Sequence, residues 1–319
     1  MKIVQIHLEK TPVKLYGGTE RVVENLCLGL VELGHEITLI SYRGEFQLPG
    51  VHHIYLDSMT PAEASTKVFS LLPEADVYHF HLSLNQDHYQ IPYVSTLHGN
   101  LTGTTEEISR QASLLPKKTI GISQDHANRH GLSHFVYNGI NPNSIPLIPT
   151  KGRHNSKEYF SFLGRASLKR KGLPEAKKIA KALGKKLHIG GGRGISFGNN
   201  KYFGHLNDDE KYHLLGHSMA LLFPIDWEEP FGLVMIEAMF TGTPVFAYKR
   251  GSVPEVLNQN NEGAFNIVSP NREHLLLLAQ NYDFHKYAPE SIRNYATKYF
   301  SRNAMCENYL KKYKEVGIK

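Results

Sequence analysis

The chain has 319 residues, 41% of them apolar and 21% charged, a composition that suits two globular domains, each able to bury a core. Its two cysteines, Cys27 and Cys306, are far apart, which argues against a disulfide framework and for a reducing, cytoplasmic compartment. No run reaches the roughly 18–20 apolar residues of a membrane span, and Lys2–Leu8, soon followed by Glu9 and Lys10, does not read as a signal peptide. The net charge of +6 hides an asymmetry. Residues 1–150 hold 10 Lys/Arg against 14 Asp/Glu, whereas residues 151–201 alone hold 14 basic residues against two acidic ones. Lys177, Lys178 and Lys181 have the spacing of an outer helical face, and no aromatic residues interleave with the block as in single-strand binders. Most of the block therefore reads as solvated surface, and nucleic acid is not an expected partner.

Lys2–Leu8 reads as a buried strand, followed by a helix over about 19–33 whose apolar face is Val22, Leu26, Cys27, Leu30 and Leu33. With the next strand, Glu36–Tyr42, this is the β-α-β opening of a doubly wound sheet. The spaced glycines of a dinucleotide fingerprint are missing. Gly17-Gly18 stands before the helix instead, either as a plain turn or as a loop whose backbone approaches a ligand. Further strands are expected at 51–56, 75–81, 93–97 and 119–123, with helices over 60–72 and 124–130. His98 closes the strand at 93–97, at the edge where parallel sheets bind ligands. His79 and His81 fit strand alternation and read as packing or cleft-wall residues. No histidine has metal-ligand spacing with another ligand, so no metal or cofactor is expected. Asn138-Gly139 is a turn signal, and the prolines at 142, 146 and 149, with Lys151-Gly152, read as a stiff linker.

The second half opens on a strand at 159–163, ended by Gly164-Arg165, and a helix after Lys171-Gly172. A strand over 186–189 leads into Gly190-Gly191-Gly192-Arg193-Gly194, which lacks the Lys-Ser or Lys-Thr of a phosphate loop. The most informative stretch follows the apolar run 220–223: Asp226-Trp227-Glu228-Glu229-Pro230-Phe231-Gly232-Leu233, then a helix to about Phe240 and a strand over 245–248. Glu229 in the loop and Glu237 in the helix can present two carboxylates at different depths of one cleft. The N–H groups of Phe231, Gly232 and Leu233 offer a seat for an anion. Carboxylates that grip sugar hydroxyls beside a helix end that grips phosphate suit a nucleotide sugar. The last helix, about 301–316, carries Met305, Tyr309 and Tyr313 on one side.

The pattern Glu229, seven residues, Glu237, with Pro-Phe-Gly after the first, closely resembles the retaining glycosyltransferases of family 4, over more than twenty positions. The resemblance implies the α/β GT-B fold, two Rossmann-like doubly wound domains facing across a cleft. Residues 1–148 would form the acceptor domain and 149–300 the donor domain, with the terminal helix of 301–319 packing back on the first. It implies a hexose or related sugar moved from a UDP- or GDP-linked donor to a hydroxyl, with no bound metal and no protein nucleophile. Gly17 and Gly18 match the family's loop over the donor diphosphate, and His98 its histidine at that strand end. Arg165 and Lys171 match its pair that embraces the pyrophosphate, Glu229 the acid that orients the sugar, and Glu237 the acid on the ribose. One departure stands out: Lys171 lies six residues after Arg165 where the family has five, which is Arg170 here. Lys171 keeps the Lys-Gly dipeptide and is the preferred contact, with Arg170 the alternative. Ser252 replaces the second glycine of the family's Gly-Gly-x-Pro-Glu element.

A nucleotide-sugar epimerase, a phosphorylase or a non-catalytic carbohydrate- or nucleotide-binding protein remain alternatives. The acidic first half has no basic amphipathic helix of the membrane-surface kind, which favours a soluble small-molecule or saccharide acceptor and leaves peripheral membrane contact open. The oligomeric state is not legible.

Overall fold

The computed structural model describes residues 1–14, 17–84, 90–148 and 159–316. The chain divides into two compact units, Met1–Asn141 with Phe300–Lys319, and Pro142–Tyr299. Part of the expected linker, Pro149 and Lys151-Gly152, lies outside the described residues.

The first unit is built on strands β1 (Lys2–Thr11), β2 (Glu36–Arg43), β3 (Val51–Tyr55), β4 (Val77–Phe80), β5 (Tyr93–Thr96), β6 (Thr119–Gly121) and β7 (His134–Phe135). They lie in the order β3-β2-β1-β4-β5-β6-β7, every neighbouring pair parallel. The second unit has β8 (Tyr159–Leu163), β9 (Lys186–Gly190), β10 (Asn200–Gly204), β11 (Leu221–Phe223), β12 (Val245–Tyr248) and β13 (Ile267–Ser269). Their order is β10-β9-β8-β11-β12-β13, again all parallel. In each sheet the chain starts at the middle, winds outward one way, then returns and winds the other. The direction reverses between β1 and β4, and between β8 and β11. Ligands of open parallel sheets lie beyond the carboxyl ends of the strands at that reversal.

Parallel strands covered on both faces need continuous apolar runs. Ile3, Val4 and Ile6 on β1 and Leu221 to Phe223 on β11 meet that need, each at most 3% exposed. The helix Gly18–Glu32 buries Val22, Val23, Leu26, Cys27 and Leu30 in one stripe. The terminal helix Arg302–Glu315 buries Met305, Cys306, Tyr309 and Tyr313 and belongs to the first unit, where Arg302 pairs with Glu32 at 2.7 Å. Among the described residues no helix is long and apolar enough to cross a membrane.

In the first unit two elements differ from the sequence reading. The helix expected over 60–72 is an α-helix only over Pro61–Lys67 and tightens into a 3₁₀ turn over Val68–Leu71. A helix at Thr105–Ser113 has no counterpart in the sequence reading, because it is short and polar and none of its residues is buried. Its signal was the capping box, in which Thr104 and Glu107 bond each other's backbone N–H groups.

Candidate active site

In the second unit the strands at the reversal, β8 and β11, each lead into a loop that carries expected site residues. After β8, Gly164 and Ala166 donate backbone bonds to the carbonyls of Gly190 and Gly191, so the turn holding Arg165 lies against the glycine turn after β9. Arg165 is exposed and has no side-chain partner among the described residues. The chain then forms a 3₁₀ turn over Lys169–Lys171, ended by Gly172 at φ 82°. A Cβ there would lie 2.0 Å from the Pro224 carbonyl oxygen, so only glycine lets this turn rest on the chain leaving β11. The Asp226 N–H bonds the Arg170 carbonyl at 2.9 Å and fastens the two segments.

This packing delivers Lys171 to Glu229. Lys171 Nζ lies 3.1 Å from Glu229 Oε2, and the same oxygen accepts the Trp227 indole N–H at 2.9 Å. The Glu229 side chain is only 8% exposed. Arg170, the alternative contact, has its guanidinium carbon 4.5 Å from the Trp227 ring centroid. The Glu229 backbone is braced from the 251–252 turn. Gly251, at φ 54°, would place a Cβ 2.4 Å from the Glu229 carbonyl oxygen, and the Ser252 N–H bonds that oxygen at 2.9 Å. Ser252 Oγ also donates to the Phe231 carbonyl at 3.1 Å. The serine in place of a second glycine thus acts as a brace on the loop.

The helix after the loop spans Leu233–Phe240, two residues later than the sequence suggests, because Gly232 takes a left-handed conformation at φ 84°. No side chain caps its N-terminus. Glu237 faces inward, and its Oε1 accepts Lys211 Nζ at 2.7 Å. Lys211, on the helix Asp208–Gly216, also pairs with Asp208 at 2.9 Å. Both expected carboxylates are therefore largely buried, and each is matched by a lysine. Burial of a carboxylate is tolerable only with such a partner. Lys211 was missed in the sequence; its one signal was a lysine flanked by the buried Tyr212, Leu214 and Leu215. The second unit also holds a cavity of about 470 Å³ lined by Lys169, Asp226, Tyr248 and Arg250 among others, but by none of Arg165, Lys171, Glu229 and Glu237.

In the first unit a cavity of about 380 Å³ opens at the carboxyl ends of β4 and β5, beside His7 of β1. His7, His81, Thr96, His98, Asn100 and Gln111 line it. His98 Nε2 lies 2.9 Å from His81 Nδ1, and His81 Nε2 lies 2.7 Å from Gln5 Oε1. Beside this chain, His79 bridges the Tyr313 hydroxyl at 2.9 Å and Thr96 Oγ1 at 2.7 Å. Burial, with some help from neighbouring imidazoles, holds His81 and His98 well below the usual histidine range. Burial alone takes His79 down to about 3. All three rings are thus neutral at neutral pH. Gly17 sits immediately before the first helix, where its carbonyl accepts the Arg21 N–H at 3.3 Å, and Thr19 lines the cavity. Among the described residues no group of three or more His, Cys, Asp and Glu side chains is placed to hold a metal ion.

The family described as Glycosyltransferase Family 4 matches residues 16–144, and Glycosyl transferases group 1 matches 198–280. The chain is homologous to these families over the two segments. A phosphatidyl-myo-inositol mannosyltransferase of Propionibacterium freudenreichii subsp. shermanii is 32% identical over 133 residues, 39% of this chain and 35% of that protein. The chain thus matches about a third of that relative's length. Two solved structures align along nearly the whole chain. AviGT4, a glycosyltransferase involved in avilamycin A biosynthesis, is 19% identical with a TM-score of 0.74, covering 98% of this chain and 97% of its own. The Anabaena protein HepE in complex with UDP-glucose is 16% identical with a TM-score of 0.71, covering 99% of this chain and 100% of its own. At such identities the likeness shows the fold, which is GT-B: two Rossmann-like parallel-sheet units.

Proposed function

We propose that the protein is a retaining glycosyltransferase that moves a hexose or related sugar from a UDP- or GDP-linked donor to a hydroxyl of a soluble small molecule or saccharide. The observation that carries this reading is the pairing of Glu229 with Lys171 and of Glu237 with Lys211, on the loop and helix that follow β11. In the free protein the lysines hold two inward carboxylates in place. A donor would exchange part of that pairing for its own groups. Glu229 would orient the sugar through a ring hydroxyl, and Glu237 would take the ribose hydroxyls.

Arg165, Lys171 and the uncapped N-terminus around Phe231, Gly232 and Leu233 would receive the diphosphate, and Gly17 and Gly18 would offer backbone N–H groups to a phosphate. Cationic side chains and helix N–H groups stabilise the charge that develops on the leaving nucleotide. That division of labour needs no resident cation. Retention without a protein nucleophile follows the family pattern: the acceptor hydroxyl attacks from the leaving-group face, the bond to the diphosphate oxygen breaks, and that oxygen takes the hydroxyl proton. His98 lines the first-unit cavity and would contact a substrate hydroxyl there. The HepE complex with UDP-glucose supports a uridine donor as the first to try.

The test is a screen of nucleotide sugars for release of nucleoside diphosphate, with and without acceptor mixtures. Acceptor-dependent release from one donor is the expected result. Conversion of the donor sugar without any acceptor would instead identify an epimerase.

A further inference from the structure

We propose that Gln5 and His81 are positioning residues that hold His98 in the tautomer with Nε2 protonated and Nδ1 bare, so that the first-unit cavity presents a hydrogen-bond acceptor to a ligand hydroxyl. The identification of that ligand as a sugar-transfer substrate rests on the proposed function; the tautomer assignment does not.

Gln5 lies on β1 and is fully buried. His81 directly follows β4 and is 5% exposed, and His98 follows β5 two residues on. The middle of β1 and the ends of β4 and β5, at the point of sheet reversal, thus supply one hydrogen-bonded line, Gln5 to His81 to His98. A neutral imidazole has one N–H and one lone pair, so each ring in the line passes on what it receives. The Gln5 carbonyl oxygen can only accept, so His81 must place its proton on Nε2. His81 Nδ1 is then a lone pair, and the 2.9 Å contact requires the proton to sit on His98 Nε2. His98 Nδ1 is left bare, with no hydrogen-bond partner among the described residues, on a side chain that lines the cavity.

A ring held so far below the ordinary histidine range is a poor proton-abstracting base but a good fixed acceptor. It would therefore orient a hydroxyl rather than deprotonate it. The competing arrangement is the flipped Gln5 amide. As it stands, Gln5 Nε2 makes no close hydrogen bond, although the Gln5 side chain acts on the neighbouring Tyr313 hydroxyl. Flipping would turn every bond in the line around and place the proton on His98 Nδ1. The two states predict opposite tautomers at one atom.

The experiment is ¹⁵N NMR of the intact protein with ¹⁵N-histidine, at neutral pH and without ligand, comparing the parent with Gln5→Met and Gln5→Glu. In the parent, His98 should show a protonated Nε2 and a bare Nδ1. Gln5→Glu keeps an acceptor facing His81 and should preserve that pattern. Gln5→Met removes the acceptor and should spread His81 and His98 over both tautomers. Given an acceptor and donor, Gln5→Met should lower kcat about 10-fold while donor KM changes less than about twofold, the split of a residue that acts through another. A protonated Nδ1 on His98 of the parent would overturn the proposal even if neither variant folded. An unchanged His98 pattern in a folded Gln5→Met protein would overturn it too. The predicted tautomers in a protein that transfers no sugar would uphold this assignment while removing the proposed function.

Discussion

Lys171 Nζ and Glu229 Oε2 stand 3.1 Å apart at the meeting of two loops, with the Trp227 indole N–H on the same oxygen. The pair joins a residue six places after Arg165 to a loop some sixty residues further on, and Gly172 is what lets the loops touch. Lys171→Met would leave a carboxylate that is 8% exposed with, among the described residues, the indole as its remaining side-chain donor. The expected cost is about 1–3 kcal/mol, since one partner of a largely buried pair is removed and the other stays. Glu229→Gln in the Lys171→Met background should recover part of that loss. Urea unfolding of the four proteins of this cycle measures the coupling, and strictly additive effects would contradict it.

The same substitution separates the two candidates for the diphosphate. Lys171→Met should lower kcat/KM on the order of 100-fold, as loss of a charged transition-state contact does. Arg170→Met removes a guanidinium stacked on an indole and should lower it far less. The reverse order would hand the role to Arg170.

Glu237 depends on Lys211 as Glu229 depends on Lys171. Both side chains of that pair are at most 12% exposed, so Lys211→Met should cost about 2–4 kcal/mol. It should also weaken donor binding by about the same factor as Glu237→Gln, because it misplaces that carboxylate. Calorimetry with the donor makes the comparison. Full-strength binding by a folded Lys211→Met protein would show that Glu237 needs no brace.

Much of this was legible in the sequence. The doubly wound halves follow from apolar runs separated by amphipathic helices, and the loop at 226–232 stands out through its acids, tryptophan, proline and glycine. The partners of the site residues were not legible. Lys211 lies on a different helix from Glu237, and only tertiary packing brings a lysine of a half-buried helix face to that carboxylate. His81 was read as a packing or cleft-wall residue because strand alternation says which face a side chain takes, not which ring it bonds. Gln5 and His7, two polar residues inside an apolar run, were the sequence sign that β1 serves a polar cluster. Helix 105–113 escaped because periodicity detects buried stripes and it has none.

Glycine substitutions test the loop geometry. Gly172→Ala meets the Pro224 carbonyl oxygen at 2.0 Å in addition to its left-handed φ, whereas Gly184→Ala, at φ 65°, meets nothing within 4 Å. Gly184→Ala should cost about 1–2 kcal/mol from backbone conformation alone. Gly172→Ala should cost at least about 3 kcal/mol or abolish soluble protein. Equal melting temperatures for the two variants would contradict the packing described.

The buried histidines set an acid limit on stability. His7, His79, His81, His98 and His126 all titrate below the ordinary value in the folded chain, His79 near 3 and His126 near 4, chiefly because burial penalises the charged ring. Unfolded, they take up protons near pH 6.5. Below that pH the unfolded state binds more protons, so stability rises with pH there and is lost as pH falls. Each such ring contributes a slope of up to about 1.4 kcal/mol per pH unit in that window. Thermal unfolding between pH 7.5 and 5 should show melting fall from about pH 6.5 downward, above the usual carboxylate range. A flat profile to pH 5 would contradict burial of these rings.

Product stereochemistry tests the central claim most directly. Donor and acceptor are incubated with the parent protein and followed by proton NMR from the earliest time points, before any mutarotation. A product whose anomeric carbon keeps the donor's configuration, formed together with nucleoside diphosphate, is the predicted result. Clean inversion at that carbon would contradict the account, even if the sugar were transferred.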